Sequence, residues 1–189
     1  MGNKGSQLLL RRAARRRQRI FLVSGAVAVA VALLVTNWAL TTPTVVPPPA
    51  GRVCATVVMP QGNITMKFYN DLVPTTAGRF ANLFQAGYYN GMQWHRVENW
   101  VIQTGNGPTR DPIALEIDPT VKNVRGAVGA ARTSDPNSAT TQFYILKQDA
   151  AYLDGNYSVF GTVLTGMSIV DQIALNAVIT RSVLVNCPA

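Results

Sequence analysis

Trp94-His95-Arg96-Val97-Glu98-Asn99-Trp100-Val101-Ile102-Gln103 gathers the only histidine of the chain, an arginine, two of its three tryptophans and a glutamine into ten residues. Gly105 and Gly107 follow at once. Trp100 and Ile102 alternate with Val101 and Gln103, a period of two that predicts a strand with one face able to line a pocket. Taken alone, the stretch reads more simply as a buried aromatic strand carrying a solvated arginine. Its neighbours on either side carry the fold.

Toward the N-terminus, Val53 to Met59 is apolar and rich in β-branched residues, Pro60-Gln61-Gly62 reads as a turn, and Ile64, Met66 and Phe68 alternate. That pattern is a hairpin with one buried face. From Pro74 a helical pattern begins, in which Ala77, Phe80, Ala81 and Phe84 recur at helical spacing until Gly87 stops it. Gly78 weakens this helix by about 1 kcal/mol relative to alanine, so tertiary packing must hold it. Toward the C-terminus, the small residues between Arg125 and Thr133 allow close approach of another chain segment, or form a flexible loop. Asp135 to Ser138 supplies a turn, Gln142 to Leu146 a strand, Leu153 to Asn156 a second turn and Tyr157 to Leu164 a further strand. Met167 to Ala174 presents Ile169, Val170 and Ile173 on one helical face, and Ser182 to Asn186 closes as a strand. Many short strands with two short helices predict a compact antiparallel barrel or sandwich.

The formal charge of +8 and pI near 10.0 invite a nucleic-acid reading. However, eight of the 17 Lys/Arg lie in residues 1 to 52 with no acid, leaving nine against all nine Asp/Glu afterwards. The folded part is formally neutral, so nucleic acid is not an expected partner; only the arginine-rich residues 1 to 19 retain that option. Ile20 to Leu40 then runs without a charge, and at 1.5 Å per residue spans about 31 Å, the thickness of a bilayer core. The expected organisation is a basic cytosolic tail (1–19), a transmembrane signal-anchor helix (20–40), a Pro/Thr-rich stalk (41–52) and a lumenal domain (53–189). A cleaved signal peptide and an organellar transit peptide are the alternatives, and Met1 to Ser6 fits an N-myristoylation pattern. Asn63 and Asn156 head N-x-Ser/Thr glycosylation sequons. Cys54 and Cys187 are either a disulfide pair or two buried thiols.

Several chemistries are disfavoured. One histidine and two cysteines make a zinc site unattractive, and no nucleophile elbow, Walker A loop or dinucleotide fingerprint is present. The scattered acids do not suggest a glycosidase pair. No metal or cofactor is expected.

His95-Arg96, Trp100-Val101-Ile102-Gln103, Gly129-Ala130-Ala131-Arg132-Thr133, Gln142-Phe143-Tyr144-Ile145, and Leu153-Asp154-Gly155 with Val159-Phe160-Gly161 form five separated blocks. In order and spacing they resemble the cyclophilin-type peptidyl-prolyl cis-trans isomerases over essentially Val53 to Cys187. The resemblance implies a mainly β fold, a closed eight-stranded antiparallel β-barrel capped by two α-helices. It also makes the first and last strands neighbours, which supports a Cys54–Cys187 bridge. It implies rotation of X-Pro bonds in protein clients, with Arg96 as the cation at the prolyl nitrogen and Gln103 holding the substrate backbone or the arginine. The proline slot would be Trp100, Val101, Tyr144 and Leu153. Ala131, Arg132, Gln142, Tyr152 and Tyr157 would complete the peptide groove, and cyclosporin-like ligands become possible partners.

Some positions depart from the family pattern. Trp100 and Tyr144 stand where phenylalanines are expected, Tyr152 where tryptophan or phenylalanine is common, and Tyr157 where many members have histidine. The stretch after Arg96 is one residue short, and Thr104 interrupts the expected Gln-Gly-Gly run. A non-catalytic module that grips Pro-containing segments is therefore the competing class. His95 is expected to hydrogen-bond within the barrel and take no part in the chemistry. With no ER-retrieval tetrapeptide at Asn186 to Ala189, the Golgi is favoured over the ER.

Overall fold

The computed structural model describes residues 53–187, so the tail, anchor and stalk expected over residues 1 to 52 lie outside the described residues. Among the described residues, no helix is long and apolar enough to cross a membrane. Strand β1 (Val53–Met59) turns through Pro60 and Gln61 into β2 (Gly62–Phe68), pairing in register from Cys54 opposite Lys67 to Met59 opposite Gly62. This is the hairpin that the alternation of Ile64, Met66 and Phe68 requires, with those three side chains buried.

Helix α1 (Pro74–Gln85) follows, with Ala77, Phe80, Ala81 and Phe84 buried as their spacing demands. Its N-cap residue, Val73, offers no capping side chain. Glu116 takes over from 40 residues away, its carboxylate accepting hydrogen bonds from the Thr75 and Thr76 amides at 3.3 and 2.8 Å. An anion at a helix N-terminus also complements the helix dipole.

The remaining strands are β3 (Arg96–Val97), β4 (Val101–Thr104), β5 (Ala127–Ala130), β6 (Phe143–Leu146), β7 (Val159–Thr165) and β8 (Arg181–Asn186). Helix α2 (Met167–Gln172) is two residues shorter than expected, because Ile173 is extended and turns its side chain into the core. One eight-stranded sheet results, in the order β3-β4-β6-β5-β7-β2-β1-β8, with antiparallel pairing throughout. The sandwich alternative is excluded.

Closure differs from the expected closed barrel, since no ladder joins the edge strands β3 and β8. The preceding segments meet instead through four backbone bonds, Gly91 and Trp94 amides donating to Ile179 and Ala177, and Asn176 and Ile179 amides donating to Trp94 and Met92. Gly91 (φ 76) and Asn176 (φ 64) are left-handed here, which breaks the extended backbone that a ladder needs. Inside, Phe143 is ringed by Phe80, Phe84, Tyr89 and Trp94 at centroid distances of 5.1 to 6.2 Å. Trp94 is thus core, fully buried, although it opened the stretch that carries the site.

As the resemblance implied, β1 and β8 are neighbours, and Cys54 and Cys187 form a disulfide with Cα atoms 4.9 Å apart.

Candidate active site

The sheet carries one row of residues from strand to strand: Arg96 pairs with Gln103, Gln103 with Tyr144, and Tyr144 with Gly129. Paired residues on neighbouring strands share a face. The adjacent row, Ile102-Ile145-Val128, belongs to the main core. The Arg96 row therefore lies on the opposite face, beside a second apolar cluster that includes Val101, Tyr144, Leu146 and Val159. That face bears a cavity of about 90 Å³ lined by Arg96, Trp100, Val101, Gln103, Ala131, Arg132, Tyr144, Leu153 and Tyr157. Its volume is several times the roughly 15 Å³ that one water needs, enough to admit part of a small ring.

All nine lining residues are among those singled out from sequence. Two other candidates stand elsewhere. Gln142 lies behind Gln103, whose amide donates to the Gln142 side-chain oxygen at 2.8 Å. Tyr152 is 68% exposed at the rim, its ring 6.1 Å from that of Trp100. Both support lining residues and do not themselves line the cavity.

The arginine is held from two sides. Its Nη1 donates to Gln103 Oε1 at 3.4 Å, so Gln103 orients the cation. Its Nε donates to Glu98 Oε1 at 2.6 Å, while Glu98 Oε2 accepts from the Trp100 indole at 2.8 Å. The guanidinium carbon also lies 5.2 Å from the Trp100 ring centroid. The hydrogen bond from Arg96 holds the Glu98 carboxyl below the usual carboxylate range, and the Trp100 bond adds to this. Glu98 was not recognised from sequence, where an acid in a turn reads as solvated. On the far side, Arg132 stacks over Tyr157 at 4.4 Å and donates to the Asn156 carbonyl at 2.9 Å.

Tyr144 needs a partner for its hydroxyl where a phenylalanine would not. It donates to Asn123 Oδ1 at 2.7 Å, and the Asn123 backbone and side-chain N–H groups donate to Asp154. Those bonds hold the Asp154 carboxyl below its usual range, whereas burial raises the Tyr144 phenol well above its own. Tyr144 is thus a neutral donor, and its ring lies over Gly129 because that strand position has no side chain. A Gly129→Ala methyl would meet the ring at its hydroxyl end. Overpacking of this kind is expected to cost about 1 to 3 kcal/mol in urea unfolding; unchanged stability would contradict the packing described. The small-residue segment is therefore a buried strand, and the flexible-loop alternative falls.

The departure at Thr104 is a packing feature. Its buried hydroxyl donates to the Gln93 carbonyl at 2.9 Å, away from the cavity. The shortened connection after Arg96 closes as a tight turn, with the Glu98 amide donating to the Val101 carbonyl at 2.8 Å, and Arg96 keeps its pairing with Gln103.

His95 lies against the Gln142 side chain, the hydrogen-bond partner that the barrel offers its ring. Its Nδ1 is enclosed and has no hydrogen-bond partner among the described residues. Burial lowers its pKa from 6.5, the neighbouring Gln142 amide opposing and the Arg96 charge reinforcing the shift. NMR titration of this single ring is expected to give a midpoint below 6.5. The unfolded chain then takes up the proton first, so this residue's contribution to stability falls as pH drops through that value. A midpoint above 6.5 would refute the burial argument.

The two sequons are exposed at Asn63 and Asn156. No group of three or more His, Cys, Asp or Glu able to hold a metal occurs among the described residues.

The family model described as "Cyclophilin type peptidyl-prolyl cis-trans isomerase/CLD" matches residues 54–186. The chain is 40% identical over 126 residues to a peptidyl-prolyl cis-trans isomerase of Acinetobacter baylyi, covering 60% of this chain and 67% of that protein. It is 35% identical over 128 residues to peptidyl-prolyl cis-trans isomerase B of Escherichia coli, covering 59% and 78% respectively. A solved cyclophilin of Cryptosporidium parvum shares the fold with a TM-score of 0.67 at 20% identity, over 73% of this chain and 100% of that one. With the match spanning nearly the whole described domain, the chain belongs to the family of cyclophilin-type peptidyl-prolyl cis-trans isomerases.

Proposed function

We propose that the domain accelerates cis-trans rotation about X-Pro bonds in protein segments, with the proline ring against Trp100, Val101, Tyr144 and Leu153 and the Arg96 guanidinium at the prolyl nitrogen. The observation that carries this reading is the row Arg96-Gln103-Tyr144, which stands a permanently charged planar donor in the wall of a cavity that Trp100, Val101 and Leu153 also line. Rotation about the amide faces about 18 to 20 kcal/mol because the nitrogen lone pair is delocalised into the carbonyl. In the twisted transition state that lone pair returns to nitrogen and can accept a hydrogen bond. A donor placed there favours the transition state over both planar ground states, which is what acceleration requires. The chemistry needs no proton transfer, so His95 is a bystander, and the rate is expected to be flat between about pH 6 and 8.

A Cryptosporidium parvum cyclophilin was solved in the presence of the dipeptide Ala-Pro, and the same ligand class is proposed here. We further propose that the domain works in an oxidising compartment, tethered by a type II anchor over residues 20 to 40. The Cys54–Cys187 bridge and the uncharged run after the arginine cluster support this.

Titration with an Ala-Pro-containing peptide, followed by NMR, tests the site. Shifts at the Trp100 indole and the Val101 and Ala131 amides are expected; shifts confined to another face would refute the assignment.

A further inference from the structure

Glu98 uses both carboxylate oxygens on two groups of the slot at once, Oε1 on Arg96 Nε and Oε2 on the Trp100 indole. The turn closed by the Glu98 amide and the Val101 carbonyl delivers it there, between the arginine's strand and the tryptophan. We propose that Glu98 is a positioning residue for the isomerisation, fixing the Arg96 guanidinium and the Trp100 ring in one mutual arrangement. The proposal rests on the isomerase reading above.

Three observations support it. Among the described residues, Arg96 Nε is taken by Glu98 and Nη1 by Gln103, whereas Nη2 makes no hydrogen bond. The two anchors thus hold the guanidinium through Nε and Nη1 and leave Nη2 for substrate. Next, the Arg96 and Glu98 side chains are 41% and 44% exposed, and exposed ion pairs contribute little to stability. A structural role therefore does not account for the arrangement. Finally, an unanchored arginine distributes over many rotamers, and turnover scales with the fraction in the competent one. Trp100 is one wall of the cavity, so the same carboxylate also fixes the shape of the slot.

Glu98→Gln keeps the size but sets an amide against two N–H donors, of which its single oxygen can satisfy one. With an X-Pro peptide, the expected result is a fall in kcat of about tenfold, with KM and melting temperature little changed. The Trp100 indole N–H resonance should move, while that of buried Trp94 stays as an internal reference. The deciding comparison is a double-mutant cycle: in an Arg96→Ala background, Glu98→Gln should have almost no further effect on rate, because Glu98 acts through the arginine. Equal rates for wild type and Glu98→Gln would overturn the proposal. The same fold loss in both backgrounds would also overturn it, by showing that Glu98 acts independently of Arg96. A wild type that accelerates no X-Pro bond would instead remove the isomerase reading, and this proposal with it.

Discussion

Reduction of the Cys54–Cys187 bridge, or replacement of both cysteines by alanine, is expected to lower stability by up to about 5 kcal/mol, the chain-entropy figure for a loop of this size. The two residues are 133 apart in sequence, so the bridge closes almost the entire domain. Its effect falls on the unfolded chain, which gains conformational freedom when the link is lost. Alanine is the better replacement because Cys54 is fully buried, and a serine hydroxyl there would add an unrelated desolvation cost. Activity per folded molecule should survive. The slot is built on β3, β4, β6 and β5 at one end of the strand order, and the bridge ties β1 to the residue after β8 at the other. Urea unfolding with and without reductant measures the difference; coincident midpoints would contradict the assigned role of the bridge.

Arg96→Ala is expected to lower kcat/KM toward X-Pro peptides by about 10²- to 10³-fold, equivalent to about 2.7 to 4 kcal/mol of transition-state stabilisation. The loss should fall mainly on kcat, because the prolyl nitrogen becomes an acceptor only when the amide is twisted. Peptide binding depends more on Trp100, Val101, Tyr144 and Leu153, which remain in place. Arg96→Lys should recover little. An ammonium keeps the charge but lacks the planar fork, which engages Glu98 through Nε and Gln103 through Nη1 and leaves Nη2 for substrate. A lysine variant with near-native kcat would show that charge alone suffices.

Much of the framework was legible because local pattern and tertiary burial agree. The alternation in Ile64, Met66 and Phe68 and the spacing of Ala77, Phe80, Ala81 and Phe84 each place one face inward, and both faces are buried. The slot was legible only through the order of five separated blocks, since no single block distinguishes a cavity wall from a core strand. Trp94 and Trp100 illustrate the difficulty. They are six residues apart in the same stretch, yet one is packed on Phe143 and the other lines the cavity.

What sequence reading missed are polar partners set by tertiary contact. Glu116 caps a helix that begins 42 residues before it, and Asn123 receives the hydroxyl of Tyr144, 21 residues away. Neither separation follows a helical or strand period. Glu98 was closer to hand, two residues from both Arg96 and Trp100. The signal was the tight turn, which folds i and i+4 onto one carboxylate between them. The missing ladder between β3 and β8 was not foreseen because the closed barrel was carried over from the family resemblance, whereas here the segments preceding those strands join through backbone bonds.

One site is proposed both to bind X-Pro segments and to turn them over through Arg96. Two-dimensional NMR exchange spectroscopy on a proline peptide, with protein at catalytic concentration, tests it most directly. Wild type should give exchange cross-peaks between the cis and trans forms, and Arg96→Ala should lose them while the peptide still shifts the Trp100 indole. Binding without exchange in the wild type would make the domain a Pro-segment binding module. Equal exchange in both proteins would remove Arg96 from the mechanism.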